Sequence, residues 1–297
     1  MTGRRHAVPV IFGEVLFDCF PDGNSVLGGA PFNVAWHLQA FGLSPLVISS
    51  IGDDELGAKV ETAMLDWSMT TTGLQRDTAH PTGSVDIEFV DNEPRYSIVE
   101  HRAYDYIDQA LLPAMPENSL LYHGSLALRN PVSRQALAAL AARRTGTVFL
   151  DVNLRDPWWQ KSYVLDLADN ADWVKLNEDE LLQLGESTGT IDARAQAFLE
   201  AHGLNGLVVT LGDKGAVAFT DDERTAQVSP SQTLNVVDTV GAGDAFTSVL
   251  ITGLVYDWPL DRILQRAQMF ASMIVERQGA TVHDRDFYQA MINDWGL

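Results

Sequence analysis

The stretch "VVDTVGAGDAF", residues 236–246, places two glycines one residue apart and an acidic residue directly after them. A strand-like apolar run precedes it and a largely apolar run follows, so we predict the start of a buried helix. Backbone N–H groups at a helix start bind anions, and glycine lets a phosphate approach closely. Asp244 would lie beside that anion and could accept a proton from an attacking hydroxyl. Taken alone, the motif is better explained by a glycine turn whose acidic residue is favoured by the helix dipole.

The composition argues against several classes of protein. The chain has 297 residues, 46% of them hydrophobic and 20% charged, which is enough for a folded core. Its apolar runs are shorter than the roughly 18 residues of a membrane span. The single cysteine, Cys19, rules out an internal disulfide and a cysteine-rich metal site. We expect a cytoplasmic protein.

The net charge is −20, with 40 acidic residues against 20 lysines and arginines. Such a surface repels nucleic acid and anionic membranes, so we expect neither as a partner. Two interpretations of the charge remain open, a solvated acidic surface without function and an adaptation to a salty cytoplasm.

Short apolar runs alternate with helical patterns along the chain, which indicates a single α/β domain over residues 1–297 with a mostly parallel sheet. We predict one first strand over "VPVIFGEVLFDCF", residues 8–20, and a helix over "APFNVAWHLQAFG", residues 30–42. Residues 82–100 alternate around the turn signal "DNEP" and predict a β-hairpin. With residues 19–29 they would form a small sheet over one edge of the main sheet, as a lid or as mere decoration.

Four further motifs carry candidate site residues, each with an ordinary structural explanation beside it. "GGAPFN", residues 28–33, starts a helix, and the Asn33 amide could bond a sugar hydroxyl. "DVNLRDPWW", residues 151–159, follows a strand, where Arg155 could clamp a phosphate. "NEDE", residues 177–180, has a capping-box pattern, and its carboxylates could also hold Mg²⁺. "VVTLGDKGAV", residues 208–217, is a hairpin-like turn or a nucleotide contact.

Together these stretches resemble the ribokinase-like, or phosphofructokinase-B, family of carbohydrate kinases. The resemblance rests on "GGAPFNVAWHLQAFG" and "DTVGAGDAF", with the other motifs in matching order over nearly the whole chain. It implies a three-layer α/β/α sandwich with a mostly parallel central sheet and a small β lid at about 19–29 and 82–100. "FGEVLFDCFPDG", "GGAP" and "DVNLRDPWW" look most like fructokinases.

The resemblance also implies a role for each motif. Asp244 would be the catalytic base, and Arg155 would face the phosphates or the sugar. The anion hole would be formed by Gly241, Ala242 and Gly243. The sugar would be bound by Asp18, Gly28, Gly29 and Asn33. The nucleotide and its phosphates would be bound by Lys175, Asn177, Thr210, Gly212 and Gly215. Glu180 would organise Mg²⁺, directly or through water, and a monovalent cation such as K⁺ would lie near Asp238 and the loop around Gly279.

The expected function is therefore ATP- and Mg²⁺-dependent phosphorylation of a primary hydroxyl, with fructose favoured as the sugar and fructose 6-phosphate as the product. Ribose, 2-keto-3-deoxygluconate and a riboside remain alternatives. No lysine or arginine lies in the predicted sugar stretches to bind a keto acid, although Arg102 and Arg129 could reach in. A non-catalytic sugar-binding regulator is a second alternative. A nicotinamide-dependent enzyme is disfavoured because "GEVLFDCFPDG" lacks the glycine fingerprint. The lid could also form a homodimer contact.

Overall fold

The computed structural model describes residues 6–90, 93–143, 146–186, 188–230 and 235–297. In that part of the chain, one large sheet has the strand order β13-β12-β11-β10-β9-β8-β1-β4-β5. Its strands are β1 (Val8–Phe12), β4 (Leu46–Gly52), β5 (Leu74–Asp77), β8 (Ser119–His123), β9 (Val148–Asp151), β10 (Trp173–Asn177), β11 (Gly206–Thr210), β12 (Ala216–Thr220) and β13 (Thr225–Val228). The pairs from β5 through β11 are parallel, and β12 and β13 extend the sheet in antiparallel fashion.

Helices cover both faces of this sheet, as the alternation of strands and helices predicts. One face packs against α1 (Ala30–Ala40), α2 (Glu55–Asp66), α7 (Ala242–Val255), α8 (Leu260–Val275) and α9 (Arg285–Trp295). The other face packs against α3 (Pro131–Ala142), α4 (Lys161–Ala168), α5 (Glu178–Leu184) and α6 (Ile191–His202). The three-layer α/β/α sandwich is therefore confirmed. In the described segments, none of the helices is both long and apolar enough to cross a membrane.

A second, smaller sheet has the strand order β3-β2-β6-β7. It contains β2 (Leu16–Cys19), β3 (Ser25–Gly28), β6 (Gly83–Val90) and β7 (Glu93–Ile98). The hairpin predicted in residues 82–100 corresponds to the antiparallel pair β6–β7, and the start of its predicted turn, residues 91–92, lies outside the described residues. A small apolar cluster of Leu16, Val85, Tyr104 and Ala127 packs beneath this sheet.

The prediction of one continuous first strand over residues 8–20 is wrong. The chain leaves the large sheet after Phe12 and joins the small sheet at Leu16, so the segment forms two strands in two different sheets. Both strands are apolar because both are buried, which explains why hydrophobicity alone did not separate them. The three residues between them connect the two sheets, and Glu14 lies in this connection.

Helix α7 begins where the opening motif predicts. Its body is buried on almost every side, from Ala245 to Gly253, as expected for a helix that is apolar or small all round. It packs against α8 and α1. The motif therefore stands at the start of a rigid central helix.

Candidate active site

The parallel strands bring several candidate residues to one edge of the large sheet. Asp151 ends β9, Asn177 ends β10 and Thr210 ends β11. Because β9, β10 and β11 are parallel neighbours, their carboxyl ends lie side by side. This is the edge at which open α/β sheets bind ligands.

The start of α7 has a backbone that requires glycine. Gly241 precedes the helix with φ of 79°, in the left-handed region. A Cβ at this position would lie 2.4 Å from the Cα of Ala280, closer than real atoms approach. The first turn then consists of Ala242, Gly243 and Asp244, and the helical hydrogen bonds begin with Ala245 N–H donating to Gly241 O at 2.9 Å. The Ala242 amide makes a long bond to Thr239 O at 3.4 Å, and a helix start of this kind is where proteins bind anions.

Asp244 is bonded to the predicted sugar residue of α1. The Nδ2 of Asn33 donates to Asp244 Oδ2 at 2.8 Å, although 211 residues separate the two in sequence. Burial raises the pKa of Asp244 to about 6, and Asp151 raises it further, while Asn33, Lys175 and Arg155 oppose the rise. A carboxylate with this pKa is ionised at neutral pH and is a stronger base than an ordinary aspartate.

A buried ion pair lies beneath the first turn of α7. Lys175 Nζ donates to Asp151 Oδ1 at 2.7 Å, and Thr247 Oγ1 donates to Asp151 Oδ2 at 2.6 Å. Burial alone would lower the pKa of Lys175, but Asp151 outweighs it and the pKa is raised. A Cβ on Gly243 would lie 3.8 Å from Lys175 Nζ. The Lys175 ammonium therefore lies directly under the predicted anion hole, with its charge balanced by the Asp151 carboxylate.

Glu14 is a buried acid that the sequence interpretation did not select. Its side chain is 3% exposed, and its Oε2 has no hydrogen-bond partner. Burial raises its pKa to about 7, and the neighbouring charge of Asp244 adds to the rise. Gly29 packs directly on its backbone, since a Cβ there would lie 2.7 Å from Glu14 O. The only signal in the sequence was a single acidic residue inside an apolar run.

The remaining predicted sugar residues lie on the small sheet and at the start of α1. Asp18 is in β2, Gly28 ends β3, and a Cβ on Gly28 would lie 4.0 Å from Asp18 Oδ2. Burial raises the pKa of Asp18. Gly29 precedes α1 with φ of 105°, and its carbonyl accepts from Asn33 N at 2.8 Å. Contacts therefore run from Asp18 through the two glycines to Asn33, and from Asn33 to Asp244.

The "NEDE" motif forms a complete capping box. Asn177 Oδ1 accepts from Glu180 N at 2.8 Å, and Glu180 Oε2 accepts from Asn177 N at 2.9 Å. Glu180 Oε1 also accepts from Leu154 N at 3.0 Å, which ties the start of α5 to the loop that carries Arg155. The Arg155 side chain itself is exposed. Both interpretations of the motif stay open, because each Glu180 oxygen can accept a further bond.

Two further predicted sites are the turn after β11 and the segment just before α7. Thr210, Gly212 and Gly215 form the turn between β11 and β12. Asp238 accepts from Val240 N and from Gly279 N, both at 3.0 Å. The loop around Gly279 therefore does lie against Asp238.

The described residues contain no cluster of three or more histidine, cysteine or acidic side chains that could hold a metal by itself. This suits Mg²⁺, which proteins commonly bind through one or two carboxylates together with substrate phosphates and water. Glu180 is the carboxylate that fits this requirement, because it lies at the ligand edge of the sheet with one free lone pair on each oxygen.

A cavity of about 640 Å³ lies between α1, α2 and the segment before α9. Its wall includes Trp36 stacked on Trp67, with ring centroids 4.5 Å apart, and Arg285 over the Trp67 ring. None of the predicted site residues lines it, so it is separate from the candidate active site.

Known proteins resemble this chain over nearly its full length. The fructokinase of Escherichia coli is 29% identical over 290 residues, which cover 91% of this chain and 94% of that protein. The fructokinase of Vibrio cholerae O395, solved with fructose, ADP and calcium, superposes with a TM-score of 0.81 at 26% identity, covering 93% of this chain and 94% of that one. The aminoimidazole riboside kinase of Salmonella enterica, solved with its riboside and an ATP analog, gives 0.82 at 25% identity, covering 96% and 99%.

The pfkB family of carbohydrate kinases matches residues 20–285, which include the motifs at 28–33, 151–159, 177–180, 208–217 and 236–246. This match and the geometry at α7 agree on the class of reaction, the transfer of a phosphoryl group to a sugar. The chain belongs to the pfkB family of carbohydrate kinases and is a sugar kinase.

Proposed function

We propose that this sugar kinase uses ATP to phosphorylate the primary 6-hydroxyl of fructose, with Asp244 as the base. Asp244 takes the hydroxyl proton, the sugar oxygen forms a bond to the γ-phosphorus, the bond to the β-phosphate oxygen breaks, and ADP leaves. The observation that carries the proposal is the position of Asp244. Its carboxylate lies in the first turn of α7, bonded to Asn33, with a pKa of about 6.

The charges around α7 support this chemistry. Phosphoryl transfer asks a protein mainly for positioning and for stabilisation of negative charge. The amides of Ala242 and Gly243 and the helix dipole would receive the transferred group. Lys175, paired with Asp151, and Arg155 both lie close enough to lower the pKa of Asp244.

ATP would lie along the ends of β10 and β11, with Asn177, Thr210, Gly212 and Gly215 as contacts. Mg²⁺ would be held by the ATP phosphates, with Glu180 as its protein partner through water, and it would neutralise phosphate charge. Asp238 and the Gly279 loop are the candidate place for a monovalent cation such as K⁺.

The small sheet would act as the lid of the sugar site, because it carries Asp18 and Gly28 and joins the large sheet through the short connection at Glu14. A closed lid would exclude water and so limit ATP hydrolysis. The same sheet would also form a homodimer contact. Val26 and Tyr96 are 49% and 59% exposed on its strands, which supports a partner surface there.

Of the two arginines that could have bound a keto acid, Arg129 is largely engaged, while its Nη1 and the Nε of Arg102 are buried without a hydrogen-bond partner. Arg129, which could have bound a carboxylate, is buried and already donates to both oxygens of Asp105 at 2.7 and 2.8 Å. It also donates to Val99 O and Tyr104 Oη. A neutral hexose needs only hydroxyl partners, which Asp18 and Asn33 provide. The similarity to fructokinases points the same way.

The proposal is tested by comparing kcat/KM for fructose, ribose, glucose and 2-keto-3-deoxygluconate in an ADP-release assay, with the position of the phosphate determined by NMR. We expect fructose to exceed the other three, because a site built for particular hydroxyls rejects sugars that lack them. A better rate with any other sugar would refute fructose as the substrate and leave the kinase assignment standing. Sugar binding without ATP turnover would identify a non-catalytic regulator.

A further inference from the structure

Helix α1 contacts the surroundings of the candidate active site through a second residue besides Asn33. Asn33 donates to Asp244 from this helix, and His37 lies one turn later on the same face. His37 is fully buried. Its ring touches that of Phe270 edge-on, with centroids 5.0 Å apart. A polar ring in such an aromatic surrounding is stable only when its nitrogens are bonded.

Both ring nitrogens of His37 have partners. Nε2 lies 3.0 Å from Ala280 O, and Nδ1 lies 2.9 Å from Tyr288 Oη. Burial lowers the pKa of His37 to about 4, so the ring is neutral and has one N–H. A carbonyl oxygen can only accept, so Nε2–H must donate to Ala280. Nδ1 is then an acceptor that faces the Tyr288 hydroxyl, whose one hydrogen is shared between Nδ1 and Val282 O at 3.2 Å.

Ala280 is the residue against which the anion hole is built. The backbone of Gly241 lies directly on it, so closely that a Cβ on Gly241 would overlap the Ala280 Cα at 2.4 Å. On the neighbouring residues, Asp238 accepts from Gly279 N, and Trp36 Nε1 donates to Val282 O at 3.0 Å. Segment 279–282 is therefore held by hydrogen bonds at Gly279, Ala280 and Val282. His37 and Trp36 of α1 bond Ala280 and Val282, and Tyr288 Oη also lies 3.2 Å from Val282 O.

We propose that His37 is a positioning residue for phosphoryl transfer, which fixes the anion hole by holding Ala280 behind Gly241. Through Asn33 and His37, one face of α1 sets the position of the base and of the hole relative to each other. The inference rests on the proposed role of Asp244 and the first turn of α7. Loss of the His37–Ala280 bond should let Gly241 shift, and displacements of this kind reduce turnover strongly.

Two amide substitutions separate the two bonds of His37. His37→Gln places its amide N–H near the position of Nε2 and can still donate to Ala280. His37→Asn is shorter and reaches only toward Tyr288. We expect kcat to fall by roughly tenfold in His37→Asn and to stay within about threefold of the wild type in His37→Gln, with the KM for fructose little changed in both. Urea unfolding of both variants shows whether stability differs.

Tyr288→Phe is the matched control. It removes the hydroxyl that contacts His37 Nδ1 and Val282 O but leaves Nε2–H on Ala280, so it should lower stability while kcat stays within about twofold. Equal losses of kcat in Tyr288→Phe and His37→Asn, or wild-type kcat in His37→Asn, would overturn the proposal. If His37→Asn does not fold, His37→Leu removes the bond to Ala280 while filling the apolar surroundings, and an unchanged kcat there would overturn the proposal. A wild-type protein without sugar kinase activity would instead refute the proposed function.

Discussion

Replacing Asp244 by Asn should abolish most of the activity and at the same time stabilise the folded protein. Asn has the same size and can still accept the bond that Asn33 donates to Asp244 at 2.8 Å. It has no carboxylate, so the proposed base is lost. We expect kcat to fall by about 10²-fold or more, the usual effect of removing a general base.

The size of the stability gain follows from the pKa of Asp244. Burial raises it from 3.8 to about 6, and two units correspond to roughly 3 kcal/mol against the ionised form. The side chain is partly exposed, so solvent screening reduces this to about 2 kcal/mol. A raised pKa destabilises the fold in full above the folded-state pKa and has no effect once both states are protonated, below the unfolded-state value of 3.8. The gain should therefore be complete near pH 8 and reduced to a small fraction near pH 4.

The assay combines kcat from ADP release at saturating fructose and ATP with urea unfolding at about pH 8 and pH 4. Asp192→Asn is the control, because it removes the same charge from an exposed position in the first turn of α6. It should leave kcat unchanged and alter stability by at most about 1 kcal/mol. Turnover of Asp244→Asn within about tenfold of the wild type would refute the base, and no gain in stability at pH 8 would refute the energetic argument.

Three further predictions concern charge. Glu180→Gln should lower the free energy of unfolding by about 1 kcal/mol if the residue only caps α5. If Glu180 also organises the metal, the variant should need a higher Mg²⁺ concentration for activity. An unchanged Mg²⁺ titration would leave capping as its one role. Glu14→Gln should stabilise the protein above about pH 7 and lose that gain toward pH 4.5, because burial raises the pKa of Glu14 to about 7; lower stability of the variant at pH 8 would contradict this. With a net charge of −20, Tm should rise from low salt to about 1 M KCl, where the Debye length is roughly 3 Å; a flat or falling Tm speaks against salt adaptation.

Much of the fold could be predicted because its signals are local. The glycines and Asp244 mark a helix start within a few residues, and the alternation of strands and helices indicates a covered parallel sheet. Strands β5 and β13, "LQRD" and "TAQV", were missed because neither has an apolar run. The parallel pairing of β2 with β6 joins distant segments, and no short stretch of sequence carries that information.

The site was predictable in its motifs but not in its contacts. Asn33 and Asp244 were selected separately, and their hydrogen bond appears only once α1 and α7 are packed together. Thr247 and His37 were missed because each lies in the middle of an apolar helix, where such a residue is usually only packed. Their partners, Asp151 and Ala280, are 96 and 243 residues away in sequence.

The pH dependence of kcat/KM for fructose tests the central claim, that the Asp244 carboxylate is the base, most directly. We expect kcat/KM to be constant above about pH 7. At lower pH it should decline as one proton binds to the Asp244 carboxylate, near its pKa of about 6. Glu14→Gln should show the same decline, which would show that the decline does not come from Glu14, the other carboxyl group with a raised pKa. A wild-type rate that is flat between about pH 8 and pH 5, or a decline that disappears in Glu14→Gln, would contradict the assignment of Asp244 as the base.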